Sequence, residues 1–129
     1  MRRVYICHPY RNDPEGNIEK VRQIVDKLSK AQVKEMTEWA KDVKFCFNLD
    51  AKTLERQFDF VCPVSPMLAF TEAMNEPSGG ATEAQSMAFC LCLLNGCDEI
   101  WVYSNSPTKG MREEITFASE IGIKVVWKA

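Results

Sequence analysis

The sequence predicts a three-layer α/β/α fold on a parallel sheet of four to five strands, and three observations carry that prediction. Short apolar runs recur at Arg3–Cys7, Phe58–Val64, Asp98–Tyr103 and Ile123–Trp127. Segments with helical apolar spacing lie between them. Turn residues bound the runs. Strands that alternate with helices give a parallel sheet covered by helices on both faces.

The elements follow in order. Arg3–Cys7 (RVYIC) reads as a buried strand ended by His8-Pro9. Residues 8–16 (HPYRNDPEG) are turn chemistry throughout. Asn17 is placed to cap a helix whose apolar face is Ile18, Val21, Ile24, Val25 and Leu28. No Gly or Pro occurs from Ile18 to Phe60, so further helices are expected, the last near Ala51–Gln57. Phe58–Val64 is the second strand. Residues 76–80 (EPSGG) form a loop, and Thr82 with Gln85 makes a capping box for the next helix. Met87–Leu94 is almost wholly apolar, so that helix is expected to be buried on most sides or to pack on another subunit. Asp98–Tyr103 is the third strand, Ser104–Lys109 a loop, and Met111–Ile121 a helix that Gly122 stops. Ile123–Trp127 closes the sheet.

Composition narrows the function classes. A chain of 129 residues is one domain by length. At 46% hydrophobic and 26% charged it has material for a core and is not a disordered chain. A net charge of -2 does not favour a basic groove, so no nucleic-acid partner is expected. No run reaches the ~18 apolar residues of a membrane span, so no membrane partner is expected. The opening MRRVYICHPY does not read as a signal peptide, and a cytoplasmic location is expected. The cysteines at 7, 46, 62, 90, 92 and 97 sit in apolar runs and read as reduced, mostly buried thiols. Cys90 and Cys92 would point about 200° apart on a helix, and there is no CxxC, so no metal is expected.

Ligands of such folds bind outside the carboxyl ends of the strands. One glutamate stands out there. On the last helix, Met111, Ile115, Ala118 and Ile121 fall on one side, and Arg112, Glu113, Thr116, Ser119 and Glu120 on the other. Glu114 joins the apolar side. A carboxylate on a core-facing stripe is costly unless it has partners or a cavity. It sits one turn from the helix N-terminus, where the dipole favours an anion. Gly110, one turn earlier on the same face, leaves room beside it.

The first loop is the second constellation. His8, Tyr10, Arg11 and Asn17 surround the end of strand one and the start of helix one. A helix N-terminus with an arginine is an anion cradle. There is no Walker A or GxGxxG pattern, which argues against a nucleoside triphosphate or a dinucleotide bound in the usual way. Asp98, at the opposite edge of the sheet, is expected to be structural.

The stretch V-Y-I-C-H-P-Y-R with Asn17 resembles the opening of nucleoside 2-deoxyribosyltransferase-like proteins. C-D-E-I-W-V-Y from Cys97, S-P-T-K-G-M-R-E-E-I-T-F-A from Ser106 and G-I-K-V-V from Gly122 resemble their later signature. The likeness covers roughly residues 3–25 and 60–127, with residues 30–57 as a helical insertion in a single domain. It is closest to small bacterial and phage members.

The resemblance implies a Rossmann-like, flavodoxin-like fold, a homo-oligomer, and a nucleoside or nucleotide as the small-molecule partner. It implies no cofactor. It implies Glu114 as the catalytic residue, a nucleophile toward C1′ of the sugar. The binding residues expected at the carboxyl ends of the strands are Tyr5, His8, Pro9, Tyr10, Arg11 and Asn17. Pro66 and Met67 follow the second strand, and Ser104, Ser106, Gly110 and Met111 follow the third. Thr108 and Cys90, or a neighbour of Cys90, stand where active transferases carry acids. The expected function is N-glycosidic bond cleavage or 2-deoxyribosyl transfer. The alternative is non-catalytic binding of a nucleotide-derived ligand on the same fold.

Overall fold

A computed structural model describes residues 2–33, 60–70 and 83–128. The chain opens with β1 (Arg2–Cys7) and α1 (Pro14–Ala31), then β2 (Val61–Val64) and a single turn of helix, α2 (Pro66–Ala69). It continues through α3 (Glu83–Leu94), β3 (Glu99–Val102), α4 (Lys109–Glu120) and β4 (Lys124–Trp127). The four strands form one sheet in the order β2-β1-β3-β4, parallel throughout. This is the expected three-layer α/β architecture of Rossmann-like type.

Alternation along β1 divides the core. Tyr5 and Cys7 pack on one face with Ile100, Val102, Leu94 and Met111, under α3 and α4. Val4 and Ile6 pack on the other with Trp101, Val21 and Met67, under α1 and α2. β1 is buried from Val4 to Cys7, as a central strand covered on both sides must be.

The lower, amino-terminal edge of the sheet is pinned by side chains. Asp98 accepts the Arg3 amide at 2.7 Å, the structural role expected of it. Buried Glu99 pairs with Arg2 and accepts from the Trp101 indole. At the β2 edge, Gln32 both accepts from Val61 N at 2.7 Å and donates to Val61 O at 2.9 Å. One side-chain amide thus stands in for a neighbouring strand.

Three expectations are corrected. Asn17 does not cap α1; it is buried within the first turn. Asp13 is the N-cap, accepting from Gly16 N, and Pro14 opens the helix. Proline at the first position has the helical φ built in and needs no amide partner, so the helix starts inside the stretch read as turn. α3 is not buried on most sides. Ser86, Cys90 and Leu94 are buried, while Ala84, Ala88, Phe89 and Cys92 are exposed. Ile121 is exposed, because α4 ends at Glu120 before that position returns to the sheet.

The second strand is shorter than expected, beginning at Val61. The helical insertion lies outside the described residues from 34 to 59, as do Cys46, the 76–80 loop and Thr82 of the capping box. Gly122 ends α4 at φ +83°, a conformation glycine adopts without strain. Among the described residues no helix is long and apolar enough to cross a membrane.

Candidate functional site

β1 lies between β2 on one side and β3 on the other, so the chain's connections diverge above its carboxyl end. That divergence opens the crevice in which open α/β sheets hold ligands. A pocket of about 180 Å³ lies there. The loop after β1 supplies His8, Tyr10, Arg11 and Asn12. α3 supplies Glu83, Ser86, Met87 and Cys90. The start of α4 supplies Thr108, Lys109, Gly110 and Met111, with Glu114 one turn on.

Glu114 is where the helical wheel placed it. Met111, Glu114 and Ala118 are buried, while Arg112, Glu113, Ser119 and Glu120 are exposed. Thr108 starts the helix by accepting the Met111 amide at 3.3 Å. Burial pushes the Glu114 carboxyl up to about 7; nearby Tyr5 opposes the rise and the Glu113 carboxylate adds to it. The acid is therefore poised between its charged and neutral forms near neutral pH.

Beneath it lies a cluster of groups that stay neutral. Burial first, then the Glu114 charge, pushes the Cys90 thiol up to about 11, with Tyr5 and Arg11 opposing. Burial raises Tyr5 well above the usual phenol range, with Glu114 and Cys90 adding. Cys7 is raised by burial, then by Glu114 and Cys90. The Tyr5 hydroxyl lies close enough to Glu114 to favour its anion, yet falls short of full hydrogen-bond geometry and is unpartnered. Glu114 is thus the group in this cluster that changes charge in the physiological range.

The first loop is shaped from within. Asn17 donates from its side-chain amide to Tyr10 O at 3.1 Å and to Asn12 Oδ1 at 2.8 Å. It braces the loop and is absent from the pocket wall. His8 Nδ1 lies 2.9 Å from the Pro9 carbonyl, so Nδ1 carries the proton that this bond needs. Pro9 is not on the pocket wall; its carbonyl is the partner of His8.

The structure brings His8, Tyr10, Arg11, Gly110, Met111 and Glu114 to one pocket, with Tyr5 beneath it. Pro66 and Met67 go elsewhere, since Met67 packs on the opposite face of the sheet beside Val21. Ser104 accepts the Ser106 amide at 3.0 Å, and neither serine is on the pocket wall. The space beside Gly110 is bounded by Met87, whose methyl a Cβ would meet at 3.5 Å.

On the α3 wall, sequence reasoning named Cys90 and missed Glu83, Ser86 and Met87. Glu83, Ser86 and Cys90 recur at helical spacing on the face that also buries Leu94. A serine on that apolar face is the same kind of signal as Glu114 on α4. Among the described residues no group of three His, Cys, Asp or Glu side chains is placed to hold a metal ion.

Residues 50–128 match the model of a family described as a domain of unknown function, DUF7768. That stretch contains α3, β3, α4 and β4, and so two of the pocket's three walls. No curated protein matches the chain.

Proposed function

The chain belongs to the DUF7768 family, and for this member we propose cleavage or exchange of the N-glycosidic bond of a nucleoside or nucleotide, with Glu114 as nucleophile. The observation that supports this reading is a buried carboxylate on the wall of a pocket at the strand-order reversal. The resemblance of the first strand and of the Ser106–Ala118 stretch to nucleoside 2-deoxyribosyltransferase-like proteins supports it too.

In this reading a Glu114 carboxylate oxygen attacks C1′ as the bond to the base breaks. The bonding pair leaves with the base nitrogen, which takes up a proton. His8, on another wall of the same pocket, gives that proton in this reading. Water or a second base then attacks C1′ and releases Glu114. A water attacker gives its proton to His8, which the first step left able to accept one, so His8 ends as it began. The pocket volume is below the ~300 Å³ at which drug-sized ligand sites begin, so it suits one ring held deep with the remainder toward solvent. A partly desolvated anion beside the sugar stabilises the cationic character that develops at C1′.

The test is incubation with deoxynucleosides and their 5′-monophosphates, with chromatography for released base. Release that disappears in Glu114→Ala is expected. Release that survives the substitution refutes the nucleophile.

A second reading, ligand binding without chemistry, is favoured by one observation. Thr108 is committed to capping α4 and the Cys90 thiol is held neutral. Neither position then offers a second ionised acid. Binding by calorimetry without base release would favour this reading. Self-association belongs to both readings; light scattering giving a 14.7 kDa monomer at micromolar concentration would exclude it.

A further inference from the structure

The α3 wall of the pocket holds an unmet hydrogen bond. Ser86 is only 4% exposed, its Oγ has no partner, and the residue lines the pocket. A buried hydroxyl without a partner costs free energy. Helical serines commonly avoid that cost by bonding the carbonyl one turn back, and Ser86 does not.

Its neighbours define what could satisfy it. Cys90, one turn further along the same face, feels the Glu114 charge and stays a neutral thiol. Glu83, one turn earlier, brings a carboxylate to the pocket. The wall thus runs from a thiol beside Glu114, through a hydroxyl, to an acid. Cys90 and Ser86 are about 6 Å apart along the helix axis, roughly the width of one substituted ring. An anion at Ser86 would meet the Glu83 carboxylate, whereas an uncharged group can both give to and take from the hydroxyl.

We propose that Ser86 is a ligand-binding residue, whose hydroxyl pairs with an uncharged hydrogen-bonding group of the ligand one turn of α3 from Cys90. The inference rests on the nucleoside reading of the pocket. The group is a sugar hydroxyl or a heteroatom on the edge of the base, and both present the same neutral chemistry to Ser86.

Calorimetry with 2′-deoxyadenosine tests it, in the wild-type and Glu114→Gln backgrounds. Ser86→Ala is expected to weaken binding about tenfold in whichever background binds. It should leave the melting temperature of the ligand-free protein unchanged or raised, because the hydroxyl has no bond there to lose. Analogues lacking the 5′-hydroxyl, the 3′-hydroxyl or the amino group of the base identify the partner. The analogue on which Ser86→Ala has no further effect lacks the group that Ser86 holds. Affinity unchanged by Ser86→Ala overturns the proposal, as does a fall of several degrees in the ligand-free melting temperature. Binding in neither background overturns it too. Base release is a separate measurement, so catalysis can fail while Ser86-dependent binding stands.

Discussion

The side-chain amide of Asn17 donates to the Tyr10 carbonyl over 3.1 Å, so a residue of α1 holds the loop that forms one wall of the pocket. A second bond, to Asn12 Oδ1, fixes which end of the amide is the donor. Asn17→Ala removes both and leaves the Tyr10 carbonyl without that donor. The expected cost is about 1–3 kcal/mol by urea denaturation. Ligand affinity should fall as well, because the loop loses its brace. Unchanged affinity in a folded Asn17→Ala protein would show that the loop does not shape the pocket.

Glu113 and Glu114 are adjacent and should behave oppositely. Glu114→Ala is expected to lower base release by several powers of ten with folding intact. Glu113→Ala, on the exposed face, should change it less than about threefold, and stability by under ~0.5 kcal/mol. The attacking form is the carboxylate, so release should rise with pH through about 7. The Glu113 charge adds to the rise in the Glu114 value, so Glu113→Ala should move that midpoint to lower pH. A midpoint that moves upward contradicts this electrostatic account.

Stability should carry the same signature. Folding raises the Glu114 carboxyl from the ordinary range near 4.3 to about 7, so the fold favours its neutral form. That contribution is fully present below the unfolded value and is lost as pH rises through about 7. Glu114→Gln keeps the neutral shape at every pH. It should match wild type in thermal melts near pH 4 and exceed it near pH 9, by about 4 kcal/mol. A difference that does not vary with pH would mean that Glu114 stays ionised in the fold.

Asp13 and Gly16 are coupled through the start of α1. A Cβ on Gly16 would collide with the Asp13 carboxylate, so alanine there displaces the capping group. Gly16→Ala should cost about 1 kcal/mol through the lost cap. In an Asp13→Ala background the same change should stabilise, since alanine favours helix over glycine and no cap remains to lose. A double-mutant cycle without this change of sign refutes the coupling.

Gly122 is the other glycine with a defined duty. Its φ of +83° lies where a side chain crowds the backbone. Nothing else approaches within 4 Å, so Gly122→Ala tests backbone strain alone. The expected loss is about 1 kcal/mol in chemical denaturation, with the pocket unaffected.

The sequence by itself determined the strands, the parallel sheet and Glu114. Apolar runs bounded by turn residues mark buried strands, and a three-residue spacing puts Met111 and Glu114 on one face whatever they pack against. These are local periodicities, carried by the backbone geometry of each element. Only the tertiary structure decided which residues meet. Met67 and Gly110 both follow strand ends, yet they lie on opposite faces of the sheet, because the direction of each crossover sets the layer. Asp13 rather than Asn17 capped α1 because the Asn17 side chain found two acceptors in the folded loop. The α3 wall with Ser86 emerged only when α3 and α4 were laid side by side over β1 and β3. A serine on an apolar face is visible in one dimension, but the isolation of Ser86 from water is a property of the packed layers.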